Sequence, residues 1–277
     1  MKTKGIRIRY VNYACYEIVL PNGKVIVVDP SIDYTNKTTE FTRDDFTGAD
    51  YILLSHTHYD HDSDLPYLAE KFDSKVFVGA MSCYGELQYS DIPFDNIYPV
   101  YPGEVYEMQD FTLEVFRGKH TFLGKQNRMS LIEPKESLND YFPKNHKQSD
   151  IFGGIEYMDY MITTKENTRI FINGGGPNWM FYNNIFTTMK EKSPNIVFRQ
   201  SSSKYTPEVF AQTVDQFHAQ LVFPLHQDGV ARKTDFTIKE YVERANAEFD
   251  RIGSNTRMIN PVPFKWYTIS FCVEEED

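Results

Sequence analysis

Tyr51–Ile52–Leu53–Leu54–Ser55–His56–Thr57–His58–Tyr59–Asp60–His61 decides how the rest of this chain is read. A short apolar run ends in three histidines and a carboxylate within six positions, in a chain that holds only seven histidines. Imidazole and carboxylate are first-choice ligands for Zn²⁺ and similar divalent ions. With residues 51–55 extended, His56 and His58 project from the same side, because side chains two apart share a face of a strand. Asp60 and His61 follow in the turn beyond the strand end, where loop backbone can aim two more ligands into the same space. The stretch reads as a metal site built on a strand end.

Working outward, the chain opens in β-structure. Ile6–Arg7–Ile8–Arg9–Tyr10 alternates apolar and basic, Tyr16–Glu17–Ile18–Val19–Leu20 follows, and Pro21–Asn22–Gly23 supplies a turn before the strand at 24–28, which ends in Asp29–Pro30. Beyond the ligand segment, Asp64 is placed to cap a helix with Pro66 in its first turn, running to about Phe72. Strands are expected at 75–78, 97–101, 104–108 and 111–116, the last with strict alternation leading into Arg117–Gly118–Lys119–His120. Periodicity then fails from Leu123 to Gly154, which is longer than structureless connections usually are in a compact domain and reads as a functional loop or lid. Strands resume at 157–162 and 169–172, with a helix at 178–191. The last third alternates a strand at 195–198, a helix from Thr206–Pro207 to about His218, a strand at 220–224 ending at Leu225–His226, a helix at 237–249 and a closing strand at 264–273.

Composition excludes several classes. The 277 residues, 41% hydrophobic and 15% aromatic, can bury a sizeable core. A formal charge of −10 with no Lys/Arg cluster argues against nucleic acid as a partner. Cys15, Cys83 and Cys272 are too few and too dispersed for a disulfide framework, which favours a reducing, cytoplasmic setting. The N-terminus has no apolar leader segment, and no run of 18 apolar residues exists to cross a membrane.

His120 and His226 also lie just past strands. If the three strand ends meet at one sheet edge, the site holds His56, His58, Asp60, His61, His120 and His226. Six ligands exceed the four of one tetrahedral zinc and point to two neighbouring ions, about 3.5–4 Å apart in sites of this kind.

On Asp29, the His-x-His-x-Asp-His segment at 56–61, His120 and His226, the chain resembles the metallo-β-lactamase superfamily of metal-dependent hydrolases. The resemblance spans nearly the whole chain. It implies an α+β fold, an αβ/βα four-layer sandwich of two stacked β-sheets with helices on the outer faces, in a single domain over residues 1–277 with a lid or insertion at 123–156. It further implies that His56, His58 and His120 hold one metal and Asp60, His61 and His226 the second, with Asp29 orienting a ligand histidine through a hydrogen bond. One or two divalent ions are expected, zinc foremost, with manganese or iron acceptable to the same donors. Tyr59 and the Pro224–Leu225–His226 segment look most like the group containing ascorbate-6-phosphate lactonase. The implied activity is hydrolysis of a lactone or phosphodiester-type small molecule by a metal-activated water, with Asp60 holding and orienting that water.

One position departs from the pattern. Gly175 stands where the superfamily carries a metal-bridging aspartate, and Asn173 offers only a neutral amide in compensation. A non-catalytic metal-binding or ligand-sensing protein with a degenerate second site is therefore the alternative. Tyr59, Lys125 and Arg128 are the candidate substrate contacts, the last two as anion contacts in the lid. His146 reads as a solvated loop residue and His218 as a helix-terminal cation. Tyr157, Tyr160, Trp179, Phe181 and Tyr182 read as core or lid packing. Ser201–Ser202–Ser203 lacks a nucleophile elbow, and the glycines at 174–176 lack the Lys-Ser/Thr of a phosphate loop. Aromatic loops leave homo-oligomer contacts open.

Overall fold

Strand alternation in this chain sorts side chains onto three cores. The computed structural model describes residues 5–32, 41–90, 92–118, 156–175, 185–201, 205–227, 229–230 and 234–270. His120, Lys125, Arg128, His146, Trp179, Phe181, Tyr182, Cys272 and all of the expected lid except Glu156 lie outside these residues.

The first sheet contains β1 (Ile6–Asn12), β2 (Cys15–Val19), β3 (Val25–Val28), β4 (Tyr51–Leu53), β5 (Lys75–Gly79) and β6 (Ile97–Val100) in spatial sequence, with β14 (Trp266–Ile269) added beside β1. The second runs β13 (Arg257–Met258), β12 (Leu221–Leu225), β11 (Ile196–Gln200), β10 (Arg169–Asn173), β9 (Met158–Thr164), β8 (Phe111–Arg117) and β7 (Val105–Glu107). β3 to β6 pair in parallel, as do β10 to β13. Parallel strands are covered on both faces, which is why β3 is an unbroken Val-Ile-Val-Val run with every residue buried.

Successive residues of one strand enter different cores. Ile26, Val28, Tyr51, Leu53, Tyr160, Ile172, Phe198 and Phe223 meet between the sheets. Val25, Val27, Ile52 and Leu54 pack outward with Leu65, Leu68 and Ala69 of α2 (Leu65–Phe72). Met161, Phe171, Val197 and Val222 pack outward against α4 (Ile185–Lys192), α5 (Pro207–Asp215) and α6 (Ile238–Arg251). Three cores between four layers make the αβ/βα sandwich expected from the sequence. Among the described residues no helix is long and apolar enough to cross a membrane.

Several local expectations change. The ligand turn is a short helix, α1 (Tyr59–Asp62). Asp64 precedes α2, yet its side chain makes no capping bond there; it accepts from Ile32 N and faces Arg43 Nε at 3.6 Å. α3 (Cys83–Ser90) and β13 were not anticipated: the helix has little amphipathic pattern, and the strand is two residues long. The helix expected to reach His218 stops at Asp215, where the chain turns and His218 takes a left-handed φ of 54°. The closing strand is shorter than the 264–273 expected, with Phe264 at φ 67° before Trp266–Ile269.

Candidate metal centre

The carboxyl ends of the parallel strands in both sheets face one edge, the usual place for a site in sheets of this kind. Direct bonds clamp the sheets together there. Tyr16 Oη donates to Pro224 O at 2.6 Å, Tyr160 Oη donates to Leu54 O at 2.7 Å, Met158 N donates to Ser55 O at 2.7 Å, and His226 N donates to Tyr13 O at 2.9 Å.

Asp29 and Ser55 organise the histidines. Asp29, at the end of β3, is 1% exposed and holds a left-handed φ of 45°, a conformation that costs a non-glycine residue of order 1–3 kcal/mol. Its carboxylate accepts from Ser55 N and Ser55 Oγ at 2.7 Å each, and from His61 Nδ1 at 2.8 Å. The bond to Nδ1 fixes the tautomer of His61 and turns its Nε2 lone pair to the site. Ser55 Oγ also lies 3.0 Å from His56 Nδ1. Since that hydroxyl donates to Asp29, it accepts from His56 Nδ1–H, which leaves the His56 lone pair on Nε2. The sequence reading placed Asp29 behind a ligand histidine; Ser55 was not singled out, although it links Asp29 to His56.

Two groups of donor atoms result. His61 Nε2 and His226 Nε2 are 3.1 Å apart, and Asp60 Oδ1 is 3.9 Å from His61 Nε2. Ligand atoms of Asp60, His61 and His226 all lie within 4.8 Å of one another. Two nitrogens bound at 2.0–2.1 Å to a tetrahedral ion stand about 3.3 Å apart, so this donor set fits a divalent cation. His226 sits at φ 52° past the end of β12, and the ring of Tyr13 (itself at φ 46°) meets it edge-on at 5.9 Å. The second group pairs His56 Nε2 with His58 Nδ1 at 3.0 Å. The strand ends at Leu53, yet these two side chains meet on one side as the spacing predicts. His120, the third expected ligand of this group, and the candidate contacts Lys125 and Arg128 lie outside the described residues. Tyr59 opens α1, and its side chain is likewise not described.

The second sheet contributes a polar row that the sequence reading missed. Asp159, Asn173 and Arg199 are 2%, 1% and 1% exposed and sit side by side on β9, β10 and β11, with Asn173 directly opposite Arg199 in the parallel register. They occupy the outward face otherwise given to Met161, Phe171 and Val197. Asn173 Nδ2 donates to Asp159 Oδ2 at 2.8 Å. The side-chain nitrogen of Asn173 therefore serves Asp159. Arg199 Nη1 donates to Asn173 O at 3.1 Å and to Gly175 O. Burial pushes the Asp159 carboxyl up to about 7, while the Arg199 charge, Asn173 and the Gly175 and Gly174 backbone pull it down. Burial likewise lowers the Arg199 guanidinium, against the attraction of Asp159. The nearest carboxylate to Gly175 in this row is thus engaged behind the strand. Asp159 within the apolar run 157–162 was the available signal, because a charge inside an otherwise continuous buried strand needs a partner.

Known proteins share part of this sequence and its fold. Residues 24–129 match the beta-lactamase superfamily domain. The chain is 30% identical over 76 residues to a UPF0173 metal-dependent hydrolase of Koribacter versatilis (strain Ellin345), covering 27% of this chain and 32% of that one. It is 34% identical over 71 residues to a UPF0173 metal-dependent hydrolase of Solibacter usitatus (strain Ellin6076), covering 26% and 30%. The alignments span about a third of the length of these curated relatives. Among solved structures, a metallo hydrolase from the hyperthermophilic archaeon Ignicoccus hospitalis superimposes with a TM-score of 0.68 at 13% identity, over 96% of this chain and 99% of that one. An isothiocyanate hydrolase from Delia radicum gut bacteria gives 0.62 at 13% identity, over 96% and 100%. Zn²⁺-bound PqqB from Methylobacterium extorquens gives 0.58 at 10% identity, over 92% and 87%. Two stacked seven-stranded sheets with outer helices give this chain the metallo-β-lactamase fold, and its residues 24–129 are similar to the beta-lactamase superfamily domain.

Proposed function

We propose that this protein is a metal-dependent hydrolase acting on a lactone or phosphodiester-type small molecule. The convergence of Asp60, His61 and His226 carries the reading. The names of the UPF0173 relatives support it, and the resemblance to the lactonase group supplies the substrate class. His61 and His226 hold the ion through Nε2, and His56 and His58 stand beside them for a second. A divalent metal there, zinc foremost, supplies Lewis acidity and acidifies a bound water towards neutral pH. The Asp60 side chain is 29% exposed, enough for its carboxylate to reach solvent, orient the attacking water and accept its proton. Asp29 and Ser55 keep the imidazoles in the tautomers that ligation requires. A small-molecule substrate fits the net charge of −10 better than a nucleic acid does. Buried Cys15 and partly buried Cys83, both free thiols, fit a cytoplasmic setting.

Chelation is expected to abolish hydrolysis of a panel of lactones and phosphodiesters, with Zn²⁺ or Mn²⁺ restoring it. Chelator-resistant turnover, or full activity in His58→Ala, would sink the mechanism. A second reading, metal binding without catalysis, is favoured by Gly175, whose backbone carbonyl serves Arg199 while no side chain reaches the metals. Gly175→Asp separates the two. A large gain in metal affinity and hydrolysis marks the natural site as impaired, whereas lost activity marks a different working geometry.

A further inference from the structure

Tyr157 lies just before β9 at the site edge, and several elements close around its ring. His56 stacks on it, with ring centroids 4.6 Å apart and planes inclined by 28°. The phenol also hydrogen-bonds Ser55, the residue whose Oγ holds His56 Nδ1 at 3.0 Å. A hydroxyl has one hydrogen and two lone pairs. Ser55 Oγ therefore donates to Asp29 and accepts from His56 Nδ1–H, with the Tyr157 phenol in hydrogen-bond contact with Ser55. Tyr157 is 4% exposed.

Two glycines make room for this ring. Gly118 N donates to Tyr157 O at 2.8 Å, and a Cβ at Gly118 would press on ring atom Cδ1. A Cβ at Gly174 would run into the phenol oxygen. Both positions need glycine for close approach and not for an unusual φ. Behind Gly174, the backbone is held from both sides. Arg199 takes the carbonyls of Asn173 and Gly175, and the Asp159 carboxylate takes Asn173 Nδ2 together with the Gly174 and Gly175 backbone.

We propose that Tyr157 is a positioning residue of the metal centre: ring and hydroxyl fix the His56 imidazole, and the turn braced by Asp159 and Arg199 fixes Tyr157. The proposal rests on the metal-centre reading above and deepens it. It gives the second sheet a part in the site that does not require a bridging carboxylate at position 175.

The test measures metal binding, not turnover. Zn²⁺ is titrated in competition with a chromophoric chelator, and Co²⁺ absorption spectra are recorded, for the wild-type chain, Tyr157→Phe, Tyr157→Leu and Gly174→Ala. His56→Ala identifies which binding step belongs to the His56–His58 group. Outer-shell partners of metal ligands are worth about 10- to 100-fold in affinity. Tyr157→Leu is expected to weaken the His56 step by about that factor and shift its Co²⁺ bands, leaving the Asp60–His61–His226 step in place. Tyr157→Phe, which keeps the ring, should recover most of the loss. Gly174→Ala should weaken the same step, and it provides the test if Tyr157→Leu does not fold. Wild-type affinity and spectra in Tyr157→Leu or Gly174→Ala, with only the melting temperature lowered, would reduce Tyr157 to core packing. A wild-type chain that takes up no metal would instead overturn the metal-centre reading, a failure visible without any substitution.

Discussion

The two sheets bring different things to the same edge. The first delivers the proposed ligands: within seven residues, Ser55 to His61 carry three imidazoles and a carboxylate, and Asp29 on the neighbouring strand locks two of them through bonds of 2.7–2.8 Å. The second contributes His226 and otherwise a support, the Asp159–Asn173–Arg199 row, in which Asn173 Nδ2 donates to Asp159 and Arg199 Nη1 donates to the Asn173 and Gly175 carbonyls. Ligation and bracing are thus divided between sheets. A substitution among the ligand groups should act through metal affinity, and one in the second sheet's polar row through stability and the placement of the turn.

The sharpest way to break that division is His226→Ala, since His226 is the ligand that the second sheet supplies. It should remove the binding step of the Asp60–His61–His226 group altogether while leaving the unfolding temperature of the metal-free protein close to wild type, measured by metal titration and calorimetry. Next in size is Arg199→Met. It removes the donor to the buried Asn173 and Gly175 carbonyls, a loss of about 1–3 kcal/mol in denaturant unfolding of the metal-free protein. Equal loss of metal affinity in the two variants, with no difference in stability, would erase the distinction. Asp29→Asn should then cost about 10- to 100-fold in metal affinity, because the amide cannot accept from Ser55 and His61 as strongly as a carboxylate does.

The smallest expected effect is a slope. The Asp159 carboxyl stands at about 7 in the folded chain, above its usual value near 4, so the folded state holds this proton more tightly than the unfolded state. Its contribution to stability is full below about pH 4 and is lost as the pH rises through about 7. Subtracting the pH–stability curve of Asp159→Asn from that of the wild type should therefore give a difference that falls across this window. A flat difference would mean that Arg199 keeps Asp159 ionised throughout.

The same division explains what could be read from the sequence. Ligand residues on the first sheet are contiguous, so His56, His58, Asp60 and His61 were visible as a cluster, and Asp29 and His226 stood out at the ends of apolar strands. The strand pattern gave both sheets, because burial on two faces leaves unbroken runs such as Val25–Val28. The support was hidden because its members are 14 and 26 residues apart and become neighbours only through strand pairing. Arg199 near the end of β11 looks like a solvated strand terminus, and only the helices packed over that face bury it. Tyr157 read as core packing because nothing local marks an aromatic ring as lying against a histidine 101 residues away. Gly118 and Gly174 carried the trace, as small residues at two strand ends that leave space for one ring.

Metal content per chain tests the central claim most directly, by elemental analysis of protein prepared without chelators or a histidine tag and then incubated with Zn²⁺ or Mn²⁺. The account predicts at least one equivalent of tightly held metal in the wild type, lost when His61→Ala and His226→Ala are combined. A wild-type chain that stays metal-free, or a double variant that keeps its full complement, would contradict it.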